Sequence, residues 1–292
     1  VMDVAAGALA AGLVTENELC VITGTWSINE VISRELDTSE DVFLTMAYAV
    51  PDSWLILEAS PNGVSNLDWF VRQVIRQTLE RFGHEELNDG EVFEICERMI
   101  LDFTPGEDDP FFVPYVNGTS VIPDGRAEFV GLTAFHDIRH IVRAVYEGVI
   151  FSHHIAKLRE YTTLKGHVRF TGGAANSKIW TQMFADAIGA PVDVVDAAES
   201  GTLGTAICSA VAAGLYPDIH TAVESMTSAP RETVHPNPEF TDLFRRRYAR
   251  FRRHIDVLAG NAAAGPADAP APEASGPSAS TPAPGEPEKK ED

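Results

Sequence analysis

The stretch "RFTGGAANSKIW", Arg169 to Trp180, carries two adjacent glycines between an alternating apolar run and a helical pattern. A strand, a glycine turn and a helix start together present unpaired backbone N–H groups, and the missing side chains let a ligand lie against the main chain. Gly172, Gly173 and Ala174 would form that backbone cradle. Asn176 or Ser177 can reach the polar edges of a ligand, or cap the following helix. Many α/β folds use the same geometry only to turn a corner, so both readings stand. A second turn, Gly24–Thr25 in "VITGTWSI", can bring N–H groups and a hydroxyl onto phosphate oxygens; its alternative is a plain hairpin. His136 and His140 are four apart, and His153 and His154 follow, a spacing open to metal, yet no third ligand accompanies them.

The elements that must position these residues are legible from periodicity. Residues 3–12 read as a helix, 18–33 as two strands around the Gly-Thr turn, and 43–50 and 54–60 as further strands. Leu67 to Phe82 carries one strongly periodic helix and Val92 to Ile100 another. A helix covers 137–158. Val168 and Phe170 alternate as a strand. Trp180, Met183, Phe184 and Ile188 recur at helical spacing, and Gly189 before Pro191 stops that helix. Residues 191–196 read as a strand and 201–214 as a helix of small residues. Grouped strands followed by αβαβ predict an α/β fold, a mixed sheet with helices on both faces. Trp69, Phe70 and Trp180 read as core.

Composition narrows the function. The net charge of −21 over 292 residues argues against a nucleic-acid or anionic-membrane surface, so neither is expected as a partner. Cys20, Cys96 and Cys208 are odd in number and set among apolar residues, which reads as reduced core cysteines of a cytoplasmic protein. No apolar run reaches membrane-spanning length, and no basic region precedes the first apolar stretch. The chain opens on Val1 with a helix almost at once, which reads as entry into a fold whose N-terminal portion is missing. Leu243 to Leu258 is a basic helix with Leu243, Tyr248, Phe251, Ile255 and Leu258 on one face and its arginines solvated. From 259 to 292 Pro, Ala, Ser, Gly and Glu dominate, a composition that predicts a disordered tail.

The stretch "AEFVGLTAFHDIRHIVRAVYE", Ala127 to Glu147, resembles a signature of the FGGY carbohydrate kinases, through Ala127, Phe129, Gly131, Leu132, His140, Ile141, Ala144, Val145, Tyr146 and Glu147. "TGGAANSKIWTQMFADAIGAPV" resembles the family's adenosine-binding segment, "ESGTLGTA" its following glutamate and small-residue helix, and "VITGTWSI" its second phosphate loop. "FVPYVNG" is similar to a family Pro-Tyr-x-x-Gly stretch. "GTWSIN" and "RAVYEGVIFSH" most resemble its L-xylulose kinase branch. The likeness spans about residues 1–258 and matches the C-terminal, nucleotide-binding half of such a kinase.

The resemblance implies an actin-like ATPase, ribonuclease H-like fold and ATP-dependent phosphorylation of a ketopentose such as xylulose or a related polyol. ATP would be bound through Gly24, Thr25, Gly172, Gly173, Ala174, Asn176 and Ser177, with Mg2+ carried mainly on its phosphates. The family's base is an aspartate before an Ala-rich helix, which places the role on Asp3 in "VMDVAAGALAAG"; an aspartate there also suits an N-cap. The sequence departs from the family at "NGVSNLDW". Gly63 stands one place early, and Asp68 replaces a glutamine, so neither is taken as a ligand. Expected partners are the sugar, the absent N-terminal kinase domain and, because an interdomain face would be exposed, a second copy of the chain. A non-catalytic ATP-binding or sugar-sensing module of the same fold is the alternative. An actin-like assembly protein finds little support.

Overall fold

A computed structural model describes residues 2–39, 42–83, 87–119, 122, 124–153, 166–196 and 200–263. The first helix, α1 (Asp3–Ala10), leads into the β-branched strand β1 (Leu19–Thr23), which turns at Gly24 into β2 (Ser27–Ser33). Strands β3 (Leu44–Ala47) and β4 (Trp54–Ser60) come next. The long periodic segment is then three pieces: α2 (Val64–Phe70), a π turn (Val71–Arg76) and α3 (Gln77–Arg81). A π turn inserts roughly one extra residue and swings the next helical residues off the buried stripe. Phe82, which closes the sequence pattern, is accordingly 79% exposed.

Beyond it lie α4 (Asp89–Leu101), β5 (Phe111–Val113), β6 (Glu128–Val130) and α5 (Ile138–Ser152), the last buried from Val142 onward. The remaining elements are β7 (Val168–Gly172), α6 (Lys178–Ile188), β8 (Val192–Val194), α7 (Ser200–Ala212), α8 (Ile219–Met226), β9 (Glu232–Val234) and α9 (Pro238–Ala263). Helix α9 runs past the expected boundary at Leu258; the rest of the proposed tail, from 264, lies outside the described residues. So do His154 and the end of the helix expected over 137–158, as well as Glu199.

Seven strands form one mixed sheet in the order β3-β4-β2-β1-β7-β8-β9, and β5 pairs with β6 separately. Strand β1 is antiparallel to β2 but parallel to β7, which is in turn parallel to β8. Successive residues of a strand face opposite ways. Val31 therefore joins the core under α2, α4, α5, α6 and α9, while Ile32 joins the one under α1, α7 and α8. Helices thus cover both faces, as the pattern predicted. Phe70 and Trp180 are core, whereas Trp69 is 36% exposed.

The basic helix corrects one expectation. Arg247 is not solvated: it is 3% exposed and donates to Glu147 Oε2 at 2.5 and 2.8 Å and to the carbonyls of Gly106, Asp109 and Pro110. Glu147 also accepts from Arg143, one helical turn before it, at 2.8 Å. A buried carboxylate needs such partners, and these pin α9 and the 106–110 loop onto α5.

Candidate active site

Parallel strands end at the same edge of a sheet, and Thr23 of β1 lies in register with Gly172 of β7. The two glycine turns therefore leave the sheet side by side. Thr23 ties them together: its hydroxyl donates to Thr171 O at 2.9 Å and accepts the Ala174 N–H at 3.0 Å, wholly buried.

The two glycines of the second turn are glycine for different reasons. Gly172 has φ +101°, and a Cβ there would stand 2.4 Å from Thr23 O, so no other residue fits. At Gly173 a Cβ would meet Thr23 O at 3.5 Å and Val64 methyls at 3.7 and 3.9 Å, ordinary contacts. Packing within the chain does not require glycine there; the exposed face of Gly173 is open for something else to approach. Asn176 is also exposed, and no hydrogen bond among the described residues occupies its side chain. Two of the expected ligands are engaged within the chain. Ala174 is fully buried with its N–H spent on Thr23, and Ser177 Oγ is spent capping α6 through Trp180 N–H at 3.0 Å. Both hold the turn in place and have little left to offer a ligand.

The first turn is braced by α2. Val64 N–H donates to Gly24 O at 2.9 Å, and Ser65 Oγ donates to Thr25 O at 3.3 Å. A Cβ on Gly63 would lie 2.5 Å from Gly24 O and 2.7 Å from Thr25 O, so this glycine lets the helix start against the loop. Gly24 N–H is used within the turn, bonding Trp26 O at 3.1 Å. Thr25 is exposed, and its hydroxyl has no hydrogen bond among the described residues.

Asp3 approaches from the other face. Gly12, just past the end of α1, packs near the Arg169 guanidinium at the start of β7, so α1 runs back along the sheet and its first turn points toward the edge where the turns emerge. The N-cap position belongs to Met2, which makes no side-chain cap; Asp3 is the first helical residue, and its Oδ1 accepts Val4 N–H at 2.9 Å. Gly204 lets α7 reach the α1 backbone, since a Cβ there would lie 2.0 Å from Ala6 O. Asp3 then lines an open cleft of about 660 Å³ with Gly201, Thr202, Thr205, Ala206 and Ser209 of α7.

The histidines have other duties. His136 Nδ1 accepts Thr133 N–H at 3.0 Å, His140 Nδ1 pairs with Asp137, the N-cap of α5, at 2.9 Å, and His153 Nδ1 contacts Asn29 Oδ1 at 2.8 Å. Arg139 and His140 hold the Asp137 carboxyl well below the usual carboxylate range. No group of three potential metal ligands occurs among the described residues. The 127–147 signature is largely scaffold. Phe129 packs on Phe112, Tyr146 lies tilted against Trp180, and Glu147 anchors α9.

A mixed sheet clad by helices on both faces, with its glycine turns gathered where parallel strands end, is the actin-like ATPase arrangement. Xylulose kinase from Rhodospirillum rubrum superposes with a TM-score of 0.75 at 21% identity, covering 89% of this chain and 51% of that one. Gluconate kinase from Lactobacillus acidophilus gives 0.75 at 22%, with the same coverage. The chain belongs to the FGGY family of carbohydrate kinases, whose C-terminal domain matches residues 19–213. L-xylulose/3-keto-L-gulonate kinase of Escherichia coli is 30% identical over 262 residues, 88% of this chain and 49% of the relative. A probable L-xylulose kinase of Pasteurella multocida is 30% identical over 259 residues with the same coverage. The chain thus spans about half the length of the curated relatives it matches. No helix among the described residues is long and apolar enough to cross a membrane.

Sequence reasoning passed over Thr23 and gave Gly63 no role. A threonine immediately before a Gly-Thr turn, at the end of an otherwise apolar strand, was the available signal for the first. Nothing local marks the second, because its partner loop lies some forty residues away in sequence, as the 40-residue separation of the Ser65–Thr25 bond shows.

Proposed function

We propose that this chain carries the ATP site and the catalytic base of a sugar kinase acting on a ketopentose such as xylulose, or on a related polyol. One observation carries the reading: Thr23, Gly172 and Gly63 hold two glycine turns at one sheet edge, leaving the Gly173 face and the Thr25 hydroxyl open. The open Gly173 face fits a nucleoside laid against bare backbone, with Asn176 at its polar edge. Thr25 fits the terminal phosphates. Mg2+ would be carried on the phosphate oxygens and would neutralise charge on the transferring group.

Asp3 accepts the proton of the acceptor hydroxyl as that oxygen attacks the γ-phosphate, and ADP leaves with the bridging oxygen. The cleft between Asp3 and α7 receives the sugar, and the relatives' additional length supplies a second domain that closes over it. Closure excludes water and aligns the hydroxyl with the γ-phosphate. The names of the relatives set the panel: L-xylulose, 3-keto-L-gulonate, D-xylulose and gluconate. The complete polypeptide carrying this chain should release ADP only with one or more of these present. ATP binding without sugar-dependent turnover across the panel would instead make the protein a sensor of the same fold.

A further inference from the structure

The stretches "GTWSIN" and "RAVYEGVIFSH", far apart in the sequence, meet beneath the first glycine turn. Ser27, two residues past Thr25, opens β2 and pairs with Thr23 across the strands. Ser152 closes α5, 125 residues later. Their hydroxyls lie 3.2 Å apart, and both reach the main-chain carbonyl of Asn62, Ser152 Oγ at 2.8 Å and Ser27 Oγ at 3.5 Å. Val149 O, in the last turn of α5, stands 2.7 Å from the Ser152 hydroxyl and competes for its proton. A second pair of bonds lies beside the first. Asn29 Nδ2 donates to His153 O at 2.5 Å, and His153 Nδ1 meets Asn29 Oδ1 at 2.8 Å. Ser27, Asn29, Asn62, Ser152 and His153 are each 2% exposed or less.

A hydroxyl has one proton to give and lone pairs with which to accept. With Ser27 donating to Ser152 and Ser152 to Asn62 O, one chain of bonds joins β2, the entry to α2 and the end of α5. The side-chain amide of Asn62 has no partner among the described residues, so the hydroxyls gathered here serve its main chain and not its side chain. The segments so joined are the ones that shape the Gly24–Thr25 turn. Ser27 fixes the strand that leaves it. Asn62 directly precedes Gly63 and Val64, where α2 starts against the turn through Val64 N–H on Gly24 O and Ser65 Oγ on Thr25 O.

We propose that Ser152 is a positioning residue for Thr25, a role that rests on Thr25 meeting the terminal phosphates of ATP. Through Ser27 and the Asn62 carbonyl, Ser152 ties both the strand behind the turn and the helix that braces it to the end of α5. The Thr25 hydroxyl then stands where those phosphates arrive. Without the tie, the buried carbonyl of Asn62 keeps only the long contact from Ser27, and the turn and its brace can drift apart.

The test uses the complete polypeptide and two probes, ATP and AMP, which differ by the phosphates Thr25 would hold. Ser152→Ala should weaken ATP binding by about two- to tenfold, the worth of one such bond, and leave AMP binding unchanged. Ser27→Ala, which takes away the neighbouring hydroxyl, should act in the same direction, and it carries the test should Ser152→Ala not fold. Thr25→Val removes the phosphate contact itself and should also weaken ATP but not AMP. Because Ser152 acts through Thr25, the double variant should bind ATP no more weakly than Thr25→Val alone. With ATP weakened in Thr25→Val, full additivity in the double variant, equal weakening of ATP and AMP by Ser152→Ala, or no effect of Ser152→Ala on ATP overturns the proposal alone. Unchanged ATP affinity in Thr25→Val overturns the reading of Thr25 and the proposal with it.

Discussion

Thr23→Val tests the hub of the site with the least change of shape. The substitution exchanges a hydroxyl for a methyl and fills the same buried space. It removes the acceptor of the Ala174 N–H and the donor to Thr171 O. An orphaned buried N–H costs about 1–3 kcal/mol and the lost bond about 1 more, so about 2–4 kcal/mol of stability should disappear. For a domain of this size that is a fall in Tm of roughly 4–16 °C. The Gly172–Gly173 turn also loses its tie to β1, so ATP affinity should drop by about tenfold for every 1.4 kcal/mol of positioning lost. Calorimetric melting gives the first quantity and titration calorimetry with ATP the second. A folded variant destabilised by less than about 0.5 kcal/mol, with unchanged affinity, would refute the role of Thr23 as the link between the turns.

Asp3→Asn should lower kcat by ~10² to 10⁴ while ATP affinity stays nearly constant, measured by coupled ADP release; turnover near the wild-type rate would leave Asp3 a helix residue only. Gly173→Val should fold, since the position has room for a side chain, and should weaken ATP binding by more than about tenfold because the branch occupies the ligand's approach. Normal affinity in that variant, with circular dichroism unchanged, would make the turn purely structural. Arg247→Met should cost about 3–5 kcal/mol in chemical denaturation, because Glu147 loses one of its two partners in the core. A loss below about 1 kcal/mol would show that Arg143 alone suffices.

Most elements could be read from the sequence because apolar periodicity is a local property. The apolar runs in 18–33 and 54–60 and the helical spacing in 137–152 mark β1, β2, β4 and α5, and the structure buries those runs. Part of the family signature has a related reason: Ala144, Val145, Tyr146 and Glu147 of α5 are buried, and close packing tolerates few substitutes, whereas Gly131 and Leu132 are exposed. Boundaries were less legible. The π turn at Val71–Arg76 and the extension of α9 to Ala263 carry no mark in the apolar pattern of those segments.

Thr25 and Gly173 were marked by glycine turns after strands, which are chemical signals in themselves, whereas the reading of Asp3 came from the resemblance to the family. What each residue does was decided by contacts distant in sequence. The approach of Thr23, 151 residues from Ala174, takes that amide away from any ligand. The same approach makes Gly172 obligatory for the fold and leaves Gly173 free for another purpose. Arg247, 100 residues from Glu147, becomes a core residue because a buried carboxylate needs it. Glu30 reads in one dimension as an ordinary acid in a strand. Only the stacking of α1 over β2 removes its solvent, because desolvation depends on what packs against a residue in three dimensions.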